Sequence, residues 1–309
     1  MPDLVPSLKG TEPGGQSYRE RLPASGLRQF VSCVWIHSVS SGSPGHEHRT
    51  APNGCVEIAF DTNSGVIHLI GTQRAPVVGT LPAGATTVGI RFRPGVAPAV
   101  LRVSAADLAD VRVPLQQLFG RIAGVFGERA SEAPTPGGAA AVLEQWVLAR
   151  CLTASDPDPA VMEAVRRLQP WRAGSVDQLT SDLLMSARQL RRRFGFAFGF
   201  GPKAVQRILR FQGFLALSNT VGDGRRVLAR LAADAGYADQ AHLSRECSRL
   251  TGLSPKAFLA ELERTCRLNH DHRASFSPLS RMLLAGRPDY AEEGEGSSFA
   301  WRRRSWRAA

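Results

Sequence analysis

The densest chemistry in the sequence lies in one short stretch, Ser186-Ala-Arg-Gln-Leu-Arg-Arg-Arg-Phe194. Written as a helix, Leu190 and Phe194 fall on one face, and Arg188, Arg191 and Arg192, at i, i+3 and i+4, share an outer sector. Ser186 stands where an N-cap oxygen would accept a free backbone N–H. The guanidinium is a planar fork of donors that fits the O6/N7 edge of guanine, and each good pair contributes roughly 1–3 kcal/mol of discrimination. The three arginines are therefore candidates for reading bases in a major groove, with Gln189 and Arg193 beside them as phosphate contacts. A comparable sector recurs in Gln240-Ala-His-Leu-Ser-Arg-Glu-Cys247. There Leu243 points inward, and Gln240, Ala241, His242, Arg245 and Glu246 form the outer face. Gln240, His242 and Arg245 can donate to bases or phosphates, Ala241 can meet a thymine methyl, and Glu246 can accept from cytosine or orient Arg245.

Elements must hold these faces in place. Each stretch is preceded by a short amphipathic segment, Ser175-Val-Asp-Gln-Leu in the first block and Val227-Leu-Ala-Arg-Leu-Ala-Ala-Asp-Ala-Gly236 in the second. Helix, tight turn and second helix is the helix-turn-helix pattern, whose second helix enters the DNA major groove. The span from Lys203 to about Thr220 reads as one long helix joining the blocks, and Gly222-Asp-Gly224 as a turn after it. The second recognition helix begins some 54 residues after the first. A rigid pair of such units would address two successive groove faces about 34 Å apart, which predicts a bipartite double-stranded DNA site for each protomer.

Charge follows the same division. Residues 1–159 carry 13 Lys+Arg against 13 Asp+Glu, residues 160–264 carry 17 against 9, and residues 265–309 carry 8 against 5. The net charge of +11 is thus concentrated in the blocks and the tail, as suits a partner that is a polyanion. The five cysteines form no Cys-x-x-Cys pair, which argues against a disulfide framework or a zinc ribbon and for reduced thiols in the cytoplasm. No apolar run approaches the ~18 residues of a membrane span, and Met1 to Gly15 has no apolar core like that of a signal peptide.

Upstream, the pattern changes from helical to strand-like. Phe30-Val-Ser-Cys-Val-Trp-Ile36, Cys55-Val-Glu-Ile-Ala-Phe60, Gly65-Val-Ile-His-Leu-Ile70 and Thr87-Val-Gly-Ile-Arg-Phe92 read as strands. Short helices are expected at Ala106–Asp110, Leu115–Gly120 and Ala139–Leu152, with a breaker cluster from Ser131 to Gly138. Asp156-Pro-Asp-Pro159 marks a boundary. The expected fold is a two-domain α+β protein: a flexible leader over 1–17, a mostly-β sandwich or barrel-like domain with short helices over 18–155, and an all-α domain over 160–264 with two helix-turn-helix units joined by a long helix. A disordered basic tail would fill 265–309.

Residues Val161–Leu262 resemble the C-terminal DNA-binding domain of the AraC/XylS family of transcription regulators. The most specific stretch is Gly236-Tyr-Ala-Asp-Gln-Ala-His-Leu-Ser-Arg, followed by Leu250-Thr-Gly-Leu-Ser-Pro255. Ser186, Leu190, Arg192, Phe194, Gly199-Phe-Gly-Pro202 and Arg210 support it from the first block and the long helix. The resemblance implies base-reading side chains at Arg188, Arg191 and Arg192. Two positions depart from it: Leu184 stands where the first turn has glycine, and Cys247 where the family often has phenylalanine. Pro52-Asn-Gly-Cys-Val-Glu-Ile and Val88-Gly-Ile-Arg-Phe-Arg-Pro-Gly95 resemble a sensor-like domain found ahead of such regulators. A small-molecule effector is the expectation for that domain, and a homodimer and a contact to RNA polymerase are expected as further partners.

Chemistry in the β-rich part is sparser. His46-Glu-His48 could begin a metal site, but Glu57 follows nine residues later across a loop-like stretch, so ordinary surface histidines are expected. His37 and His68 are isolated in sequence. Arg91 and Arg93 share a strand face and could bind an anionic ligand, though a salt bridge or a solvated edge is the expected reading. Trp35 and Phe60 read as core. Cys55 follows Asn-Gly, but its surroundings do not match a methyl-accepting cysteine. With no Ser/His/Asp set, phosphate loop or dinucleotide fingerprint, the expectation is a cytoplasmic regulator with no catalytic residue, metal or cofactor. Two alternatives are a metal-dependent cupin-type enzyme fused to a DNA-binding module and a constitutive DNA-binding protein whose first domain only dimerises.

Overall fold

The computed structural model describes residues 15–169, 175–220, 228–266 and 270–271. The β-rich part contains β1 (Gln16–Arg21), β2 (Val31–Val39), β3 (His46–Thr50), β4 (Glu57–Asp61), β5 (Val66–Ile70), β6 (Val77–Leu81) and β7 (Thr86–Phe92). After α1 (Ala97–Leu101) and α2 (Ala105–Leu108) come β8 (Arg112–Pro114), α3 (Leu115–Phe119), α4 (Arg121–Ser131) and α5 (Pro136–Cys151). The strands form a seven-stranded sheet in the order β8-β5-β4-β7-β2-β1-β9, where β9 is His270–Asp271, and a separate antiparallel two-stranded sheet of β3 with β6.

Alternation along the strands sorts two faces. Val34, Ile58, Phe60, Leu69, Val88, Ile90 and Phe92 meet Leu143, Trp146 and Val147 of α5 in one apolar core. Each such large side chain contributes on the order of 1.5–3 kcal/mol when fully buried. Trp35 belongs to the second face with Tyr18, Cys33 and Ala59, while Phe60 lies in the main core. The indole of Trp35 lies across β7, so a Cβ at Gly89 would stand 2.2 Å from the ring. Glycine is the residue that fits there.

Several elements differ from the sequence reading. Gln16 and Ser17, expected in the leader, begin β1, because Tyr18, Glu20 and their neighbours pair along β2. The cluster Ser131 to Gly138 does not stay open throughout: Pro136 starts α5, with Thr135 accepting from Gly138 N. Arg49 and Thr50, expected in a loop-like stretch, complete the strand His46–Thr50, paired from His46↔Leu81 to Thr50↔Val77. Within the expected tail, His270 and Asp271 pair in parallel with Tyr18 and Arg19 of β1. Residues 1–14 of the leader, residues 272–309 of the tail and the Gly222–Gly224 turn lie outside the described residues.

The C-terminal part is helical. Its elements are α6 (Pro159–Arg167), α7 (Val176–Asp182), α8 (Ala187–Phe198), α9 (Pro202–Thr220), α10 (Leu228–Asp234), α11 (Gln240–Thr251) and α12 (Pro255–Cys266). A second apolar core runs from Val161 through Phe194, Phe198, Phe211 and Phe214 to Leu243, Cys247 and Phe258. The chain is therefore a β-rich N-terminal domain followed by an all-α region of two helix-turn-helix units bridged by α9. No helix among the described residues is long and apolar enough to cross a membrane.

Candidate nucleic-acid interface

The two units follow one plan, α7–α8 and α10–α11. Both recognition helices have twelve residues, from Ala187 and from Gln240, and both end on a left-handed glycine, Gly199 or Gly252. Ser186 caps α8 in a reciprocal box with Gln189: its side chain accepts from Gln189 N, and the Gln189 side chain accepts from Ser186 N. Asp239 caps α11 by accepting from His242 N at 2.6 Å. Leu190, Phe194 and Phe198 bury the inner face of α8, with the Phe194 and Phe198 rings stacked 5.6 Å apart. Leu243, Cys247 and Thr251 occupy the corresponding places in α11. Burial pushes the Cys247 thiol up to about 11, so it is an inert packing group.

The expected DNA-facing side chains divide into free and committed ones. Arg188, Arg191, Arg192 and Arg245 are exposed and make no ion pair or hydrogen bond among the described residues. Gln240 and Ala241 are exposed as well. Gln189 is exposed but engaged in the cap. Arg193 is half-committed: its Nη1 donates to Asp158 Oδ2 at 2.6 Å, and that carboxylate also caps α6. His242 accepts from Ala238 N on Nδ1 at 3.4 Å and stands edge-on to Tyr237. That bond leaves Nε2 as the protonated, donating nitrogen of the neutral ring.

Glu246 corrects the sequence reading. It is buried, 3.6 Å from Arg207 of α9 and 3.5 Å from Arg249, instead of standing on the outer face or orienting Arg245. Helical spacing put it at the edge of the outer sector, and α9 closes over that edge. Arg210, the arginine of the long helix, lies 5.6 Å over the Tyr237 ring and so ties α9 to the second turn.

Sequence reasoning missed how the β domain grips both recognition helices. Thr72 Oγ1 donates to the carbonyl of Phe198 at 2.7 Å. Arg49 Nη1 donates to the carbonyl of Thr251 at 3.1 Å, and its Nε donates to Glu261 at 2.9 Å. Phe198 and Thr251 are the last residues of α8 and α11, whose carbonyls have no intrahelical partner. Gly199 sits so close to α2 that a Cβ there would stand 2.7 Å from Ala105 O. The Gln212 side chain adds a bond to Pro52 O at 2.9 Å.

The second face of the β-sheet is buried yet polar. Arg91 donates to Glu57 at 2.8 Å and pairs with Glu20 at 3.3 Å, so it makes the salt bridge expected of it. Trp35 Nε1 donates to Glu57 at 3.0 Å. The two-stranded β3–β6 sheet places His46 and His48 over this face, with rings 5.3 and 5.6 Å from His37. They are not ordinary surface histidines, and burial holds both below the usual histidine range. Among the described residues no cluster of three His, Cys, Asp or Glu has metal-ligating geometry. His68 stands by itself beside Arg112. Burial raises the Cys55 thiol well above its ordinary range, which leaves it unreactive.

Comparison with known proteins agrees with this anatomy. Residues 179–261 match the AraC-type helix-turn-helix domain, and residues 19–114 match a domain of unknown function, DUF6597. No curated relative matches the chain significantly. Similar solved structures include ToxT from Vibrio cholerae O395 bound to (E)-4-(8-methylnaphthalen-1-yl)but-3-enoic acid, 12% identical over 80% of this chain and 99% of that one, with a TM-score of 0.44. Wild-type ToxT from strain SCE256 with bound unsaturated fatty acid is 12% identical over 79% and 94%, with a TM-score of 0.37. At such identities and TM-scores the likeness carries no argument about this chain. Paired helix-turn-helix units with exposed basic faces define a DNA-binding transcription regulator. Its residues 179–261 carry a helix-turn-helix domain of the AraC type at the C-terminal end.

Proposed function

We propose that the protein reads a bipartite duplex site and that a small-molecule effector acting on the β domain alters that reading. Arg188, Arg191 and Arg192 address one half-site, and Gln240, Ala241, His242 and Arg245 the other. Gln189 and Arg193 meet the backbone beside the first, and Glu246 orders the second from within. The observation that carries the reading is the pair of β-domain bonds to equivalent carbonyls, Phe198 and Thr251. A shift in the sheet would move both recognition helices together, and an effector that binds one arrangement better would change its population. The buried polar face around Arg91, Trp35 and His48 supports an effector site. The exposed apolar row Leu118, Ile122 and Val125 suits a second copy of the chain.

DNase footprinting of the full-length protein tests the bipartite reading on a duplex selected from a randomised pool. Two protected groove faces per protomer are expected, and one face per protomer would overturn it. Arg49→Ala should weaken the response of DNA affinity to any effector found by thermal-shift screening while leaving its binding intact. An unchanged response would sink the coupling.

A further inference from the structure

Phe196 is the residue of α8 that the arginine reading leaves unused. It is 52% exposed and belongs to neither apolar core. A single exposed phenylalanine is ordinary by itself. Its position is not, because it follows Arg192 by four residues and Arg188 by eight, on the same stripe of the helix. Gly195 lies next to it, and nothing stands within 4 Å of where a Cβ would be. Its φ is not positive, so the local backbone does not require glycine. Glycine inside a helix weakens it. In α11 the corresponding residues, three and two positions before Thr251, are Ser248 and Arg249, and Arg249 pairs with Glu246. A bare backbone with a large apolar ring beside it is thus particular to the first helix.

We propose that Phe196 is a specificity-determining residue that meets the C5-methyl group of thymine, and that Gly195 lets the groove edge approach the backbone of α8. This rests on the DNA-binding reading above. The free arginines draw a duplex onto this stripe, and the ring then leaves water against the apolar group that the major groove offers. Four residues of helix rise about 6 Å, or roughly two base steps, so the thymine lies about two base pairs beyond the pair addressed by Arg192.

The test uses the full-length protein and the duplex it selects from a randomised pool. Uracil replaces thymine position by position, which removes the methyl group and nothing else. Wild type should lose affinity roughly fourfold at the thymine in question, the equivalent of one buried carbon. Phe196→Ala should lose the same amount on the thymine duplex and be indifferent to uracil. Equal uracil sensitivity in wild type and variant overturns the proposal, as does no sensitivity in wild type. Gly195→Ala should raise the melting temperature and lower DNA affinity, and unchanged or improved affinity overturns the close approach. If Arg192→Ala relaxes sequence preference and Phe196→Ala does not, this inference fails and the DNA reading stands. If wild type selects no duplex, both fail.

Discussion

Both helix-turn-helix units turn on a residue in the left-handed region, Leu184 at φ 50° in the first and Gly236 at φ 78° in the second. The turns close alike: Met185 N donates to Thr180 O and Tyr237 N to Ala232 O, each at 2.9 Å. Leucine in this conformation costs roughly 1–2 kcal/mol, and glycine does not incur that cost. The first unit therefore holds against its own turn residue a geometry that the second adopts without strain. Its other parts compensate, with a reciprocal cap at Ser186 and Gln189 and the stacked Phe194–Phe198 pair. The second unit has the better turn and the slighter interior, with Cys247 and Thr251 at the places of the two phenylalanines. Packing imposes the turn, and the turn residue sets how much strain is stored in it.

The faces differ as much as the interiors. Three unpaired arginines stand on α8, whereas on α11 Arg245 is free and Arg249 answers Glu246. The first unit should dominate electrostatic affinity, and the second should contribute positioning and shape. The largest test of that division is Arg192→Ala, expected to lose roughly 1–3 kcal/mol on the preferred duplex and to relax its sequence preference. Gel-shift titration against matched and mismatched duplexes measures it, and a uniform loss on all sequences would make Arg192 a phosphate contact. Next in size is an exchange of turn residues. Gly236→Leu should destabilise the protein by about 1–2 kcal/mol, and Leu184→Gly should stabilise it by about 0.5–1 kcal/mol, because the 93% exposed leucine gives up little packing. Urea unfolding followed by circular dichroism reads both. Negligible effects of both exchanges would mean that neither turn is held to the left-handed conformation. The smallest expected effect lies in salt dependence. Removing Arg193, which meets the DNA backbone, should flatten the plot of log affinity against log salt by ~0.9. Removing Gln240 should leave the slope unchanged.

Much of this architecture was legible from local pattern. Leu190, Phe194 and Phe198 at helical spacing, Ser186 before them and Gly199 after them specify α8 almost without reference to anything else. The same holds for the apolar strands β2, β4, β5 and β7. The strands that escaped notice, β1, β3 and β6, are polar or half-exposed, so alternation in them is faint. His46 and His48 read as ordinary surface histidines because Gly, Pro and Thr between His48 and Glu57 favour a loop. Their strand exists through pairing with β6, some thirty residues downstream.

From the sequence alone came the properties that neighbours along the chain decide. These are the periodicity that turns Arg188, Arg191 and Arg192 outward, the caps, the glycine stops and the concentration of positive charge in the helical half. Tertiary structure decided whatever depends on the group across the way. Helical spacing cannot show that α9 brings Arg207 to Glu246 and removes that carboxylate from the outer face. Nor can it show that Asp158 engages Arg193, or that Thr72 and Arg49 reach the last carbonyls of both recognition helices. A helix's own hydrogen bonds leave those carbonyls open by geometry, so the sequence announces the vacancy. The donor that fills it comes from another domain, and the fold of the whole chain selects it.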